Sequence, residues 1–482
     1  MAPLRGHFQL CWRRCQRAHL NVWGMIQTWR MAFLDGLRDQ AAASEPWFRE
    51  QLKTLVEHKT VSPGKTGDED ILAGVQAAKA LFEASGASAE IVDTAGTPSI
   101  LARFGHESPK AKVAIYNHFD VQPADASIWD QNDPFAFEVK EDAEREFLYL
   151  GRGTTDDKGP ALCALRAAMF AKDAGLPIEV QLLWETEEEI GSPNFGDVLT
   201  KKKDQLTVDG IIVSDTIWPN AKIPSISIGL RGGVTFLARL KTGNKNVHSG
   251  LTGGVARNPL RELMAVATAI HGASFWKQGA DEVTPAEIAG FLGSDFDADY
   301  FKSAHDLISM ETDVPLEMML NMWARPTFEV HGLSGGYTGP GLKSIVPAQG
   351  ELKASFRIVP SQNPEQIVAD LRAFVRGLNP DIEVEIFGCF EPYKSEASGH
   401  IHRAISQAME AAFGAKPGLV REGGSIGAVP LMERVLGVPV HFLPLSLPEH
   451  GYHAPNERFD WKQAKGGIEA FGRVFERLAR GE

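Results

Sequence analysis

Three short apolar runs constrain this chain more than any other feature: "KVAIYNHFD" at 112–120, "IEVQLLWETEEE" at 178–189 and "VDGIIVSDT" at 208–216. Each is continuously apolar rather than alternating, the pattern of a strand buried on both faces and so of a sheet covered by helices on each side. Each also ends in histidine or acid. In parallel sheets ligands gather beyond the carboxyl ends of the strands, so these charged ends are expected to converge. Between the first two runs, "GRGTTDDKG" (151–159) sets Asp156 and Asp157 among glycines, directly before the helical stretch "GPALCALRAAMFAKDAG". A glycine loop at a helix start often cradles phosphate. Paired aspartates argue instead for a cation, and the Gly-Lys-Ser/Thr ending of a phosphate loop is absent.

With 482 residues, 43% of them hydrophobic, the chain exceeds the size at which one core usually stops growing, which implies two domains. From Ser44, helical stretches alternate with apolar runs, the reading of an α/β fold with a mainly parallel central sheet. After Pro224 the style changes. "GGVTFLARLKTG", a helix near 259–272, "GELKASFRIVP", the helix "NPEQIVADLRAFVRGL" and "DIEVEIFGC" read as a small α+β domain of split βαβ type. The expected division is a first domain over 35–228 and 396–482, with 229–395 inserted into it. The polar stretch 276–325 carries no interpretable motif.

The balance of 62 acidic against 49 basic residues gives a formal charge of -13, which disfavours nucleic acid or an anionic membrane as partner. No apolar run is long enough to span a bilayer. Cys11, Cys15, Cys163 and Cys389 show no metal-ligand spacing and are too few for a disulfide framework, so a reducing, cytoplasmic setting is expected. Residues 1–34 hold five arginines and no acid. They read as an atypical extension, either a start assigned too early, with Met25 or Met31 the true beginning, or a targeting arm.

Individually, the charged residues at the strand ends are ambiguous. His118 and Asp120, two apart, face the same way, and a carboxylate there can hold the second nitrogen of a metal-bound imidazole. Glu187, Glu188 and Glu189 follow the apolar "VQLLW", where like charges crowd together unless a cation intervenes. Asp215 closes the third run, and His453 sits in the turn-rich "EHGYHAPNE". Together they form an oxygen and nitrogen donor set suited to zinc, cobalt or manganese.

The motifs "HFDVQPA", "GRGTTDDKGP", "TEEEIGS", "VSDT", "VHSG", "REGGS" and "GYHAPNE" resemble, in order, those of the metallopeptidase family that includes carboxypeptidase G, succinyl-diaminopimelate desuccinylase, acetylornithine deacetylase, aminoacylase and carnosinase-like dipeptidases. "DVQPA" and "TDDKGP" look most like the dipeptidase branch. The resemblance implies a zinc-exopeptidase-like catalytic domain with a ferredoxin-like inserted lid that forms a homodimer. It implies two divalent metals, most readily zinc, one held by His118 and Asp215 and the other by Glu189 and His453, with Asp156 bridging and a cis peptide after it. Glu188 matches the general base, Asp120 would orient His118, and His248 in "NVHSG" would reach a neighbouring subunit's site to stabilise the oxyanion. Arg357, Gly424 and Ser425 would bind the substrate carboxylate, and Asn258, His331 and Glu457 lie near the motifs. The implied activity is metal-dependent hydrolysis of dipeptides or short peptides with a free C-terminus. Removal of an acyl group from an N-acyl amino acid by the same chemistry, and a catalytically silent metal-binding relative, are the alternatives.

Overall fold

A computed structural model of the chain describes residues 33–34, 36–62 and 68–481. Nearly all of the arginine-rich start lies outside the described residues. At the centre is a six-stranded sheet made of β1 (Ser88–Val92), β2 (Ser99–Phe104), β3 (Ala111–His118), β4 (Ile178–Glu185), β5 (Gly210–Val213) and β6 (Val440–Phe442), in the spatial order β1-β2-β4-β3-β5-β6. β2 alone runs against its neighbours, and β4, β3, β5 and β6 are mutually parallel. Every residue of β4 and β5 is buried, as continuous apolar runs require.

Helices cover both faces. On one, Gly159–Asp173, Gly399–Phe413 and Trp461–Arg480 enclose Leu162, Leu182, Ile405 and Phe471. On the other, Phe195–Lys202 and Ala428–Leu436 pack Phe195 and Val429 onto Tyr116 and Val213. Each such fully buried side chain contributes roughly 1.5–3 kcal/mol relative to exposure. The Asp460 carboxylate caps the C-terminal helix by accepting from the Gln463 N–H. Gly467 brings that helix close to the core, since a Cβ there would meet Leu445 at 2.6 Å.

Between β5 and β6 the chain builds a second sheet, fully antiparallel, with strands Thr327–Gly335, Gln349–Ile358, Gly232–Lys241 and Glu383–Phe390 in that spatial order. The helices Pro259–Gly272 and Pro364–Leu378 cover one face through Leu263, Ile270, Ile367 and Leu371. The βαββαβ chain order is the split βαβ arrangement expected. Strand Thr327–Gly335 escapes sequence reading because its burial barely alternates.

The polar stretch 276–325 folds into three short helices, Pro285–Leu292, Ala298–Ala304 and Pro315–Trp323. These do not extend the inserted sheet. Phe291, Met319 and Trp323 pack on Val420 of the strand Gly418–Glu422. Beside them, buried Arg421 donates to Glu287, which also accepts from Lys394 and the Thr284 N–H. The segment therefore braces one strand from behind.

Candidate metal centre

The charged ends of the central strands do converge. His118 is the last residue of β3 and pairs in register with Glu185 of β4. Just past β4, Glu188–Ile190 form a single turn of 3-10 helix, and Asp215 lies two residues beyond β5. The glycine loop enters from the side, and its Asp156–Asp157 peptide is cis, in keeping with the resemblance. Two groups of donor atoms result: His118, Glu188 and Asp215, and Asp156, Glu189 and His453, with the atoms of each group within 4.8 Å of one another.

Asp156 stands between them. Its Oδ1 lies 2.9 Å from His118 Nε2 and its Oδ2 lies 3.1 Å from His453 Nε2. Glu189 Oε2 is 3.1 Å from the same His453 nitrogen, and Asp215 Oδ2 is 3.8 Å from His118 Nε2. Asp156 Oδ2 has no hydrogen-bond partner despite its closeness to His453, as expected of donor atoms converging on a common point rather than on each other. The tautomer also fits a cation. His118 Nδ1 donates to the Asp120 carbonyl at 2.9 Å, because a carbonyl only accepts, and Nε2 is left facing the carboxylates.

Asp120 corrects the sequence expectation in detail. Its backbone carbonyl, not its carboxylate, makes the short contact with His118; the nearer carboxylate oxygen is 3.6 Å away. The carboxylate is turned to the next strand end, where it accepts from the N–H groups of Glu188 (3.2 Å) and Glu189 (3.1 Å) and from Ser62. Asp120 thus holds the turn that presents both glutamates. Gln122 steadies Glu189 with a 2.7 Å bond to Oε2.

Glu457, weakly indicated by sequence, is fully buried and organises the glycine loop. Its carboxylate accepts from Arg152 Nη1 (2.7 Å) and from the N–H groups of Gly153 (2.9 Å), Thr155 (2.9 Å) and Asp156 (3.1 Å). Arg152 also donates to the His453 carbonyl. That helps to hold His453 at φ 56°, a left-handed conformation that non-glycine residues seldom adopt. Tyr452 Oη reaches Asp215 Oδ1 at 3.3 Å.

Charge and burial act strongly on these groups. Burial works against a charged His118, yet Asp120 and Asp156 hold its pKa well above the ordinary value. Asp156 and Glu189 raise His453 to about 11. Burial disfavours the Asp156 charge as well, but His118 and His453 keep its carboxyl below the usual range. Burial lifts Asp215 to about 7 and pushes Glu188 well up. Crowded carboxylates facing imidazoles in this way form a site whose charges are balanced by cations, either protons or metal ions.

A cavity of about 210 Å³ adjoins the two groups, walled by Asp156, Glu188, Asp215, Arg357, Glu422, Ser425 and His453 among others. Arg357 donates to Ser425 Oγ at 3.2 Å, and Gly424 lines the same wall. Arg231, missed by sequence reading, donates to the carbonyls of Gly423 and Asn321 behind them. A larger recess of about 410 Å³ near Ser88, Arg103 and Asp204 contains none of the candidate ligands. His248 does not line this cavity. It is exposed on the short ribbon Val247–His248/Ile345–Val346, where its Nδ1 accepts from the Gly250 N–H. Asn258 caps the helix Pro259–Gly272, and His331 bonds Ser355 within the inserted sheet.

Comparison with known proteins gives the family. The family model described as peptidase family M20/M25/M40 matches residues 114–477. The Cys-Gly metallodipeptidase dug1 of Schizosaccharomyces pombe is 31% identical over 399 residues, covering 79% of this chain and 83% of that protein. The Beta-Ala-His dipeptidase of Homo sapiens is 27% identical over 399 residues, covering 80% of this chain and 78% of its own. The solved structure of the dipeptidase Dug1p from Saccharomyces cerevisiae shares the fold, with a TM-score of 0.82 at 24% identity, over 93% of this chain and 98% of that one. The chain is a metallopeptidase and belongs to peptidase family M20/M25/M40.

Proposed function

We propose that this metallopeptidase hydrolyses the amide bond of dipeptides and short peptides that carry a free C-terminal carboxylate. The observation that carries the reading is Asp156, whose two oxygens face His118 on one side and His453 on the other. One side chain therefore borders two ligand sets. Two divalent cations would fit, one held by His118 and Asp215 and one by Glu189 and His453, with Asp156 between the two sets; the donors suit zinc, with cobalt or manganese as alternatives. When bound, such a pair supplies Lewis acidity and lowers the pKa of water.

The chain's own residues do the rest. Glu188, in the cavity wall, takes the proton of the attacking water at its carboxylate and returns it to the leaving amine, a role usually contributing about 10²–10⁴-fold. Arg357, Ser425 and the backbone at Gly424 receive the substrate carboxylate, for which a guanidinium fork has the matching shape. His248 stabilises the developing oxyanion of a second copy across a homodimer. Exposed Leu251, Val255 and Leu342 near that ribbon support such a contact. Relatives named as dipeptidases favour peptides over N-acyl amino acids. A cytoplasmic setting is supported by the unpaired thiols of Cys163 and Cys389. Among the described residues no helix is long and apolar enough to cross a membrane.

The test is a panel of free dipeptides, N-acyl amino acids and C-terminal amides. Cleavage of dipeptides, with amidation of the C-terminus raising KM, is expected. Turnover confined to N-acyl amino acids would replace the peptidase reading with a deacylase.

A further inference from the structure

The cavity beside the metal ligands holds two opposite charges that do not pair with each other. Arg357 donates to Ser425 Oγ at 3.2 Å and makes no ion pair among the described residues. Glu422, at the end of the strand Gly418–Glu422, reaches the same cavity. Its Oε1 accepts from the Ile217 N–H at 3.2 Å and from Ser227 Oγ at 3.0 Å. Its Oε2 takes no hydrogen bond or ion pair among the described residues, and the half-buried side chain is open to the cavity. Water satisfies such an oxygen until a substrate fills the cavity, and from then on it is costly unless something cationic meets it.

Position says what that cation is. Ile217 lies two residues after Asp215, so Glu422 is tied to the segment that carries a metal ligand, whereas Arg357 comes from the inserted sheet. In a dipeptide the α-ammonium is one carbon from the attacked carbonyl, and the carboxylate lies beyond the leaving nitrogen. A zwitterion of that length needs an anion near the metal ligands and a cation farther off, and the wall offers both. The cavity, about 210 Å³, falls below the roughly 300–1,000 Å³ of sites for drug-sized ligands, which suits a compact substrate.

We infer that Glu422 receives the free α-ammonium group of the substrate and makes this site select peptides over N-acyl amino acids. The inference rests on the dipeptidase reading and assigns its amino-terminal specificity. A substrate lacking the ammonium leaves Glu422 unpaired inside the cavity, and sites built to bond a polar group reject analogues without it.

Alanyl-alanine and N-propionyl-alanine differ only in that amino group, so the metal-loaded protein should be assayed on both. The wild type is expected to favour the dipeptide by about 10–100-fold in kcat/KM, the span of a hydrogen bond to a charged group. In Glu422→Gln, which keeps an oxygen for Ile217 and Ser227, the two substrates should come within about threefold of each other, chiefly through a higher KM for the dipeptide. Glu422→Asp keeps the charge one methylene back and should fall between; it serves equally if the glutamine variant does not fold. Discrimination retained in both variants, or absent from the wild type while dipeptides are still cleaved, overturns the role of Glu422 and leaves the peptidase reading intact. No dipeptide cleavage by the wild type overturns both.

Discussion

Asp120 and Glu457 show how few residues place the candidate ligands. Neither belongs to the two ligand groups, yet one fixes the Glu188–Glu189 turn through two N–H bonds and the other fixes the Asp156 loop through three. Glu457→Gln sets an amide N–H₂ against these donors and leaves Arg152 buried without its counter-charge. The expected cost is about 3–5 kcal/mol in chemical unfolding, with weaker metal binding in a competition titration; unchanged metal affinity would contradict the positioning role. A separate expectation concerns His441 on β6, 5% exposed, with an unpartnered Nδ1 and a pKa lowered to about 4 by burial and by His402 and His400. Below its unfolded pKa of about 6.5 the unfolded chain takes up a proton that the folded chain refuses. Stability is therefore lost as pH falls from about 6.5 towards 4, by about 3 kcal/mol from this group. His441→Leu should flatten that part of the profile, read as the difference between wild type and variant in urea unfolding at pH 7 and pH 4.5. At this scale the residues that meet in the two candidate ligand groups were legible because the residue type announces the chemistry. Asp120's true contact was not, because sequence cannot tell a carboxylate from the carbonyl of the same residue.

Elements with both faces buried were the readable ones. β3, β4 and β5 emerge where the apolar runs lie, and the helices Pro259–Gly272 and Trp461–Arg480 fall where periodicity puts them. The three helices between 285 and 323 did not announce themselves, since each is nine residues or shorter and buries only a few side chains. Their partner, the strand Gly418–Glu422, is about a hundred residues away in sequence. That strand carries Glu422 and leads directly into Gly424 and Ser425, so bracing it shapes the substrate wall. Phe291 is fully buried against Trp323, with ring centroids 5.2 Å apart. Phe291→Ala should cost about 3–5 kcal/mol and raise KM for dipeptides more than it lowers kcat. A variant destabilised by that amount with unchanged KM would separate the brace from the substrate wall.

Across the whole molecule, the candidate metal ligands come from the central sheet and its flanking loops, while Arg357 comes from the inserted sheet. The cavity therefore spans the two sheets' contributions. His248, exposed and away from the cavity wall of its own chain, makes sense in the proposed dimer. Leu251→Asp combined with Leu342→Asp should yield monomers by analytical ultracentrifugation and a loss of turnover with metal retained; full activity as a monomer would remove His248 from the mechanism. The seven ordered motifs made the family legible, and the change of pattern after Pro224 announced the second sheet. The brace and the amino-end carboxylate depend on long-range packing that no local pattern encodes. The most direct test of the central claim is to strip the protein with a chelator, titrate zinc back, and follow both dipeptide hydrolysis and bound metal in the wild type and in Glu188→Gln. The account predicts no turnover when stripped, full recovery at two metals per chain, and a Glu188→Gln protein that binds two metals but is slower by about 10²–10⁴-fold. Undiminished hydrolysis by the stripped protein, or by the metal-loaded Glu188→Gln variant, would contradict it.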